Sequence, residues 1–570
     1  MNDNPLKSTE PPTSPPGYGL QPEGPPTNAP AYGFAQNYPP QGYPQNYPPQ
    51  GYPQNYPPAV PANSYPPPNY PPAQPPPQGY PGQSYQGAQV YPPQSFPPQH
   101  YGPPPVQPSV AVVPPGGWYS RNQRNKPQSN AVGAAALIFA SGGMNIAFSA
   151  GFFTVPLSYH TRICWFIGAI IGTFISSILV NQVPKKVIFA FASLLVIVGG
   201  VLFACDKNVE SLITAGLYLD GIANGLVFAP TLALAGEVAV FYMRGTITTT
   251  IEQASFGIGF FLQIVYASTW EWNVGAAISA EQIHGILSAV FGVIGVIIAA
   301  FLTIESPVIM LANGEEQAAI DTLRRLQRPY TLTTETYDQL AEHKRYVEQN
   351  KDISVCAGIV EALPAFLRLI FLRALNAMSM CQFTTYAFLI ASAREYRGEV
   401  WPIVLFGLCR WLGNLVTAMC TECVGRKKLI LLGLLVCTGM GFGTGSQFYS
   451  SYYYWPVYYF GNMEMVMTFL CLYQVFAGVA FTPTSAYLSE AFPLGVKQHM
   501  IGLTFIVEML VFIIISVGTM DFTTFGVFFY FVGGLSVFGF IAGIWLFPET
   551  KGTNLRQSQD KFRGFLSFGF

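Results

Sequence analysis

Two carboxylates and two cations recur at one spacing in distant parts of the chain. An apolar run ends in Leu234-Ala-Gly-Glu237, and Arg244-Gly245 follows seven residues after the carboxylate. A second apolar run ends in Tyr487-Leu-Ser-Glu490, and Lys497 follows after the same interval. Two further carboxylates echo one another: Glu305-Ser306-Pro307 closes the first half and Pro548-Glu549-Thr550 closes the second. Carboxylates at helix ends pair with cations on neighbouring loops through charge-assisted hydrogen bonds. That chemistry holds elements together and makes no covalent bond. No nucleophile–base constellation, phosphate loop or metal cluster stands out, so neither catalysis nor a cofactor is expected. Cys420 and Cys423 form a lone C-x-x-C without a second pair, which argues against zinc or redox chemistry.

The elements that must position these residues are membrane spans. A bilayer core about 30 Å thick needs about 20 apolar residues per helix. Apolar runs between charged or Gly/Pro breaks fall near 132–154, 161–181, 185–205, 209–236, 245–268 and 281–304. Six more fall near 364–392, 400–421, 428–447, 460–488, 498–518 and 524–547. The reading is an all-α membrane protein with twelve transmembrane helices in two six-helix halves, 130–311 and 353–555. A polar stretch, 312–352, separates them, and its apolar residues recur at helical spacing (Ala318, Leu323, Leu326). Long internal repeats of membrane spans are a transporter architecture.

Charge supports this reading. Charged residues make up 10 % of the chain, against roughly 25 % in soluble domains. No basic, aromatic-interleaved groove is visible, so no nucleic-acid partner is expected. Lys and Arg concentrate before span one, after spans two, four, eight, ten and twelve, and in the central stretch. By the positive-inside rule these loops are cytosolic, which puts both termini inside. An integral multi-pass protein of the plasma membrane is the default, with the lipid bilayer and a small-molecule solute as its partners.

Residues 1–128 are of another kind, rich in Pro, Tyr, Gln and Gly, with Asn37-Tyr-Pro-Pro-Gln-Gly-Tyr-Pro-Gln45 repeating from Asn46. Proline at this density bars helix and sheet, so a disordered cytosolic tail is expected. Within it Pro15-Pro16-Gly17-Tyr18 and Pro67-Pro68-Asn69-Tyr70 fit the P-P-x-Y pattern that WW domains bind. Residues 556–570 read as a short cytosolic C-terminal tail.

The short motifs resemble the sugar porter family of the major facilitator superfamily. Glu237 through Arg244-Gly245 resembles its E-x6-R-G, and Ile304-Glu-Ser-Pro307 with Leu323-Arg-Arg-Leu326 resembles its P-E-S-P-R segment and following helix. Glu422-Cys-Val-Gly-Arg-Lys427 resembles its D-R-x-G-R-R loop, and Pro548-Glu-Thr-Lys-Gly552 is its closing P-E-T-K-G. The resemblance covers about 130–555. It implies a cytosolic latch made by Glu237, Arg244, Glu305, Glu422, Arg426, Lys427, Glu490, Lys497 and Glu549. The first-half loop departs from the pattern: Asn181 stands for Asp, Pro184 for Gly, Leu217 for Arg and Val308 for Arg. The first-half latch is therefore expected to be the weaker.

The resemblance also implies a solute cavity between the halves near the bilayer midplane. Counted from the loop motifs, Glu252, beside Gln253, stands at the family's Gln, Arg410 at an Asn and Glu508 at an Asn. Asn376 and Gln382 are the nearest matches to the span-seven amides, and Ser485 replaces a Trp. A charge at mid-helix costs about 2.5–3.5 kcal/mol on insertion scales, so it faces a cavity or a partner. One reading is an internal ion pair of Arg410 with Glu508 or Glu252. The other is a cavity for a charged or zwitterionic solute, with Arg410 on an anion and a glutamate on a cation or proton. Asp220 and Glu464 lie nearer span ends. Ser149 stands where proton-coupled members of the family carry Asp, which favours facilitated diffusion. The expected function is transport of a small organic solute, sugar by family default, by alternating access. An organic-ion or zwitterion carrier on the same fold is a second reading. A non-transporting sensor or scaffold using the Pro-rich tail is a third.

Overall fold

A computed structural model of the chain describes residues 117–564 except 207, 271–277, 454–461 and 519–521. The P-P-x-Y motifs at Pro15-Pro16-Tyr18 and Pro67-Pro68-Tyr70 lie outside the described residues. All twelve expected spans are present. The first half contains Gly133–Ala150, Tyr159–Ile178, Lys185–Cys205, Glu210–Val238, a composite span over 244–270, and Ala280–Leu302. The second contains Val355–Glu395, Trp401–Val424, Arg426–Tyr453, Met463–Glu490, Lys497–Ser516 and Phe522–Leu546. Eleven of these helices are long and apolar enough to cross a membrane as single elements. Span five falls below that length because a π-turn at Thr250–Ala254 splits it.

Sequence dictates where the spans start and stop. Ser158 caps span two by accepting from the Thr161 amide, and Ser279 with Gln282 forms a capping box on span six. Lys185 follows Pro184, which ends the preceding turn. Span seven is interrupted at Cys381, whose extended backbone separates Val355–Met380 from Gln382–Glu395. The carbonyls this break exposes find partners: Gln474 donates to Ser379 O at 2.7 Å and Thr384 to Met378 O at 3.0 Å.

The halves meet through spans two and eleven, four and eleven, and five and eight. Ring pairs close the seam: Phe166 stacks on Phe512 at 4.8 Å and Phe228 on Phe505 at 3.9 Å. Such pairs contribute about 0.5–1.5 kcal/mol each beyond area burial.

One face of the bundle carries the charged loops. Short helices cover it: Pro307–Ala312, Glu316–Arg325 and Thr334–Lys351 between the halves, as expected for 312–352. Two boundaries differ from the sequence reading. Helix starts at Trp118, inside the stretch assigned to the tail, and runs to Ala131. It is held by polar tertiary contacts that composition does not reveal. Gln128 accepts from the Val240 amide at 3.1 Å, and Arg124 pairs with Glu335 at 2.6 Å. The segment 556–570 is not simply a tail either, because Leu555–Arg563 is a helix. Its Phe562 is buried edge-on against Tyr487 at 5.1 Å.

Candidate functional site

At mid-depth five spans bring glutamate, arginine, amide and hydroxyl side chains together. The π-turn of span five presents Glu252 and Gln253, both buried. Such turns widen a helix by one residue and are frequent at functional sites. Arg373 from span seven makes a two-pronged pair with Glu252, Nη1 to Oε1 at 2.7 Å and Nη2 to Oε2 at 2.8 Å. The same guanidinium lies 3.4 Å from Glu508 of span eleven. Its remaining face covers the Phe228 ring at 5.5 Å. The network extends through Asn376, which donates to Glu508 at 2.8 Å and accepts from Arg410 Nη2 at 2.6 Å. Arg410 Nη1 donates to Ser379 Oγ at 2.7 Å. Ser485 donates to Glu252, and Gln253 Nε2 donates to the same carboxylate at 2.8 Å.

Arg373 was not among the expected cavity residues, and it changes the reading. The anticipated ion pair of Arg410 with Glu508 or Glu252 does not form. Both glutamates turn to Arg373, one turn before Asn376 on the same helix. Arg410 instead meets neutral partners. Gln382 is buried beside the span-seven break but is not in this network, and its Oε1 has no hydrogen bond. Asp220 is buried too, yet it accepts from Ser141, Trp165 and Asn224, all of its own half. It ties spans one, two and four together. Glu464 sits in the first turn of span ten. The cavity bounded by Glu252, Arg373, Asn376, Asn414, Glu508 and Phe512 measures about 20 Å³. That holds roughly one water. In this state the protein's own charges fill the space between the halves.

The charged face is closed by a second set of pairs. Lys497 of the second half reaches Glu237 of the first at 3.3 Å. Arg244 of the first half reaches Glu490 of the second at 3.7 Å and donates to Thr553 O at 3.1 Å. Arg426 holds Glu490 at 3.1 Å and Glu422 at 3.0 Å, and Glu422 accepts from the Gly245 amide at 2.6 Å across the halves. All but Glu422 are almost wholly buried. Ser306 donates to Glu237 while capping the helix that begins at Pro307.

The remaining latch candidates act within one half. Glu549 accepts from the Arg426 and Lys427 amides at 3.1 and 3.2 Å. Gly425 makes this possible: its φ of +105° suits glycine, and a Cβ there would lie 2.4 Å from Glu549 Oε2. Glu305 accepts from the Lys186 amide at 3.0 Å and, among the described residues, reaches none of the second half. Asn181 does touch the second half, accepting from Gln498 Nε2 at 3.4 Å.

His343 and Tyr242 on this face are both shifted from their ordinary values. Burial pushes His343 down to about 4, helped by the cations of Arg244 and Lys497. Burial and the acceptor Glu335 push Tyr242 up to about 12. Among the described residues no group of His, Cys, Asp and Glu is arranged to hold a metal ion.

Two six-helix halves around a buried polar centre, latched on one face, define a membrane transporter of the major facilitator class. The sequence matches the family described as "Sugar (and other) transporter" over residues 118–562, and the chain belongs to that family. It is 22 % identical over 419 residues to the glucose transporter GlcP of Staphylococcus epidermidis, covering 70 % of this chain and 86 % of that one. Its fold is similar to the proton:xylose symporter XylE bound to 6-bromo-6-deoxy-D-glucose, with TM-score 0.63, 16 % identity, and coverage of 76 % and 99 %. An inward-open structure of XylE from E. coli matches with TM-score 0.52, 16 % identity, and coverage of 76 % and 98 %.

Proposed function

We propose that the chain carries a neutral sugar across its membrane by alternating access. The observation that supports this is the charge balance of the centre. Glu252 and Glu508 are both satisfied by Arg373, and Arg410 donates to the neutral Asn376 and Ser379. Two carboxylates and two guanidiniums sum to zero. A charged solute entering such a centre would leave one protein charge uncompensated, at a cost of several kcal/mol. Sugar hydroxyls can donate to the carboxylates and accept from the guanidiniums without changing the sum. The glucose transporter relative and the sugar-bound structural neighbour are in keeping with this substrate class.

The mode we propose is facilitated diffusion, because Ser149 stands where a proton-binding carboxylate would be needed. The charged face is the cytosolic one on the Lys/Arg distribution, which places both termini inside. The latch then closes the cytosolic side, and inward opening must break its pairs. The membrane is taken as the plasma membrane.

Purified protein in proteoliposomes tests the substrate class. Uptake of labelled D-glucose should saturate, fall with unlabelled D-glucose or D-xylose, and ignore tetraethylammonium and citrate. It should also be indifferent to an imposed proton gradient. Competition by either ion without competition by sugars would overturn the reading.

A further inference from the structure

A second cavity, of about 250 Å³, lies on the charged face and shares no lining residue with the central one. Three parts of the chain wall it. Arg244 comes from the first half, Gln339, Glu342, His343 and Tyr346 from the helix Thr334–Lys351, and Arg556 from the helix after span twelve. Four side chains around it carry a buried polar atom with no hydrogen-bond partner: Gln339 Nε2, Glu342 Oε2, His343 Nε2 and Arg556 Nε. His343 itself is only 4 % exposed. Unsatisfied buried polar atoms are rare in folded proteins, and four around one cavity mark a place for a polar ligand.

The chemistry of the wall narrows that ligand. Two of the four atoms are obligate donors, one is an obligate acceptor, and the imidazole nitrogen serves as either. Glu342 is already paired with Arg345, and Arg244 with Glu490. A further cation, Arg556, and a further anion, Asp338, line it. The cavity therefore offers mixed hydrogen bonding and little net charge. Its size is below the roughly 300–1,000 Å³ of pockets for drug-sized ligands. We infer that this cavity binds a neutral polyol of monosaccharide size, at a site separate from the central one. Because Arg244 and Arg556 belong to opposite halves, a ligand between them stabilises the closed charged face. Bound polyol thus slows opening on that face without competing for the central site.

Hydrogen–deuterium exchange on the full chain in nanodiscs tests this, with D-glucose and myo-inositol as probes. At ten times its apparent Kd, a polyol bound here should slow amide exchange in 334–351 about tenfold. Gln339→Ala and, separately, Glu342→Gln should each abolish that protection, while leaving any sugar protection in spans five and eleven intact. Protection that persists in both variants overturns the inference, as does none in 334–351 with either polyol. Protection by inorganic phosphate but not by polyols also overturns it. Protection in spans five and eleven alone leaves the sugar-carrier reading standing and removes this one. Protection in 334–351 alone does the reverse.

Discussion

Glu237 of the first half pairs with Lys497 of the second, while Arg244 of the first half pairs with Glu490 of the second. Each copy of the repeated signature thus supplies its carboxylate to the other copy's cation. The seven-residue spacing does not build a local pair. It places a carboxylate at the end of one span and a cation at the start of the next, so that the two halves pair reciprocally. Buried ion pairs contribute little net stability, because desolvation cancels most of the attraction. The role we propose for them is in switching: both pairs must part when the halves separate on this face.

Removing one member exposes that role. Glu237→Gln leaves the Lys497 ammonium buried without its counter-charge, a loss of about 3–5 kcal/mol from the closed state. A cysteine placed in the latch should then react faster with a thiol reagent applied from the charged face. The exchange Glu237→Lys with Lys497→Glu should bring the slow reaction back. Equal reactivity of all three proteins would show that the pair does not hold the face shut.

Arg373 is the hub of the central network, and its loss should be worse than the loss of either partner. Arg373→Met leaves Glu252 and Glu508 facing one another in a buried cavity without their shared cation, and transport should cease. The thermal midpoint in detergent should fall sharply, again by about 3–5 kcal/mol in stability. Adding Glu252→Gln should recover part of the midpoint without recovering uptake. A single variant as stable as the parent would contradict the network.

The latch and the centre differ in how readable they were. Glu237, Arg244, Glu490 and Lys497 sit at helix ends in a repeated register, and the family resemblance pointed to a latch there; the structure pairs these four residues across the halves. Glu252, Arg410 and Glu508 were reached by counting from the motifs of the family the chain resembles, and a mid-span charge demands a partner. Arg373 obeys the same rule, in the run Leu369-Ile-Phe-Leu-Arg373-Ala-Leu375, and weighing every mid-span charge equally would have found it. Which cation each glutamate chooses was not legible, since it depends on how spans five, seven and eleven converge. The helix at Trp118–Ala131 is held by tertiary contacts, whereas Leu555–Arg563 has a local start signal, Gln557 accepting from the Asn554 amide.

Gly425→Ala tests the turn that brings Glu549 to the Arg426 and Lys427 amides. Its backbone conformation costs a non-glycine residue about 1–3 kcal/mol, and the new Cβ collides with the carboxylate. Thermal unfolding in detergent should show a lowered midpoint, and Glu549→Ala in the same background should add little. Full additivity would mean that the glycine and the carboxylate act independently.

His343 predicts an acid-side loss of stability. Its ordinary value is 6.5 and its folded value about 4, so the folded protein binds fewer protons than the unfolded one between those limits. Above pH 6.5 both states are neutral at this position and it contributes nothing to the pH dependence. As pH falls from 6.5 to 4 stability declines, by about 3 kcal/mol in all. Unfolding midpoints measured across that range should flatten in His343→Gln. An unchanged slope would assign the acid sensitivity to other groups.

On the function we propose, a neutral sugar passes through this charge-balanced centre as the latched face opens and closes. Accumulative counterflow tests it most directly. Proteoliposomes preloaded with unlabelled D-glucose should transiently concentrate external labelled D-glucose above equilibrium. Glu237→Gln should weaken that overshoot, and the charge exchange at Glu237 and Lys497 should restore it. Absence of counterflow with D-glucose and D-xylose, in protein that shows it with an organic ion, would contradict the account.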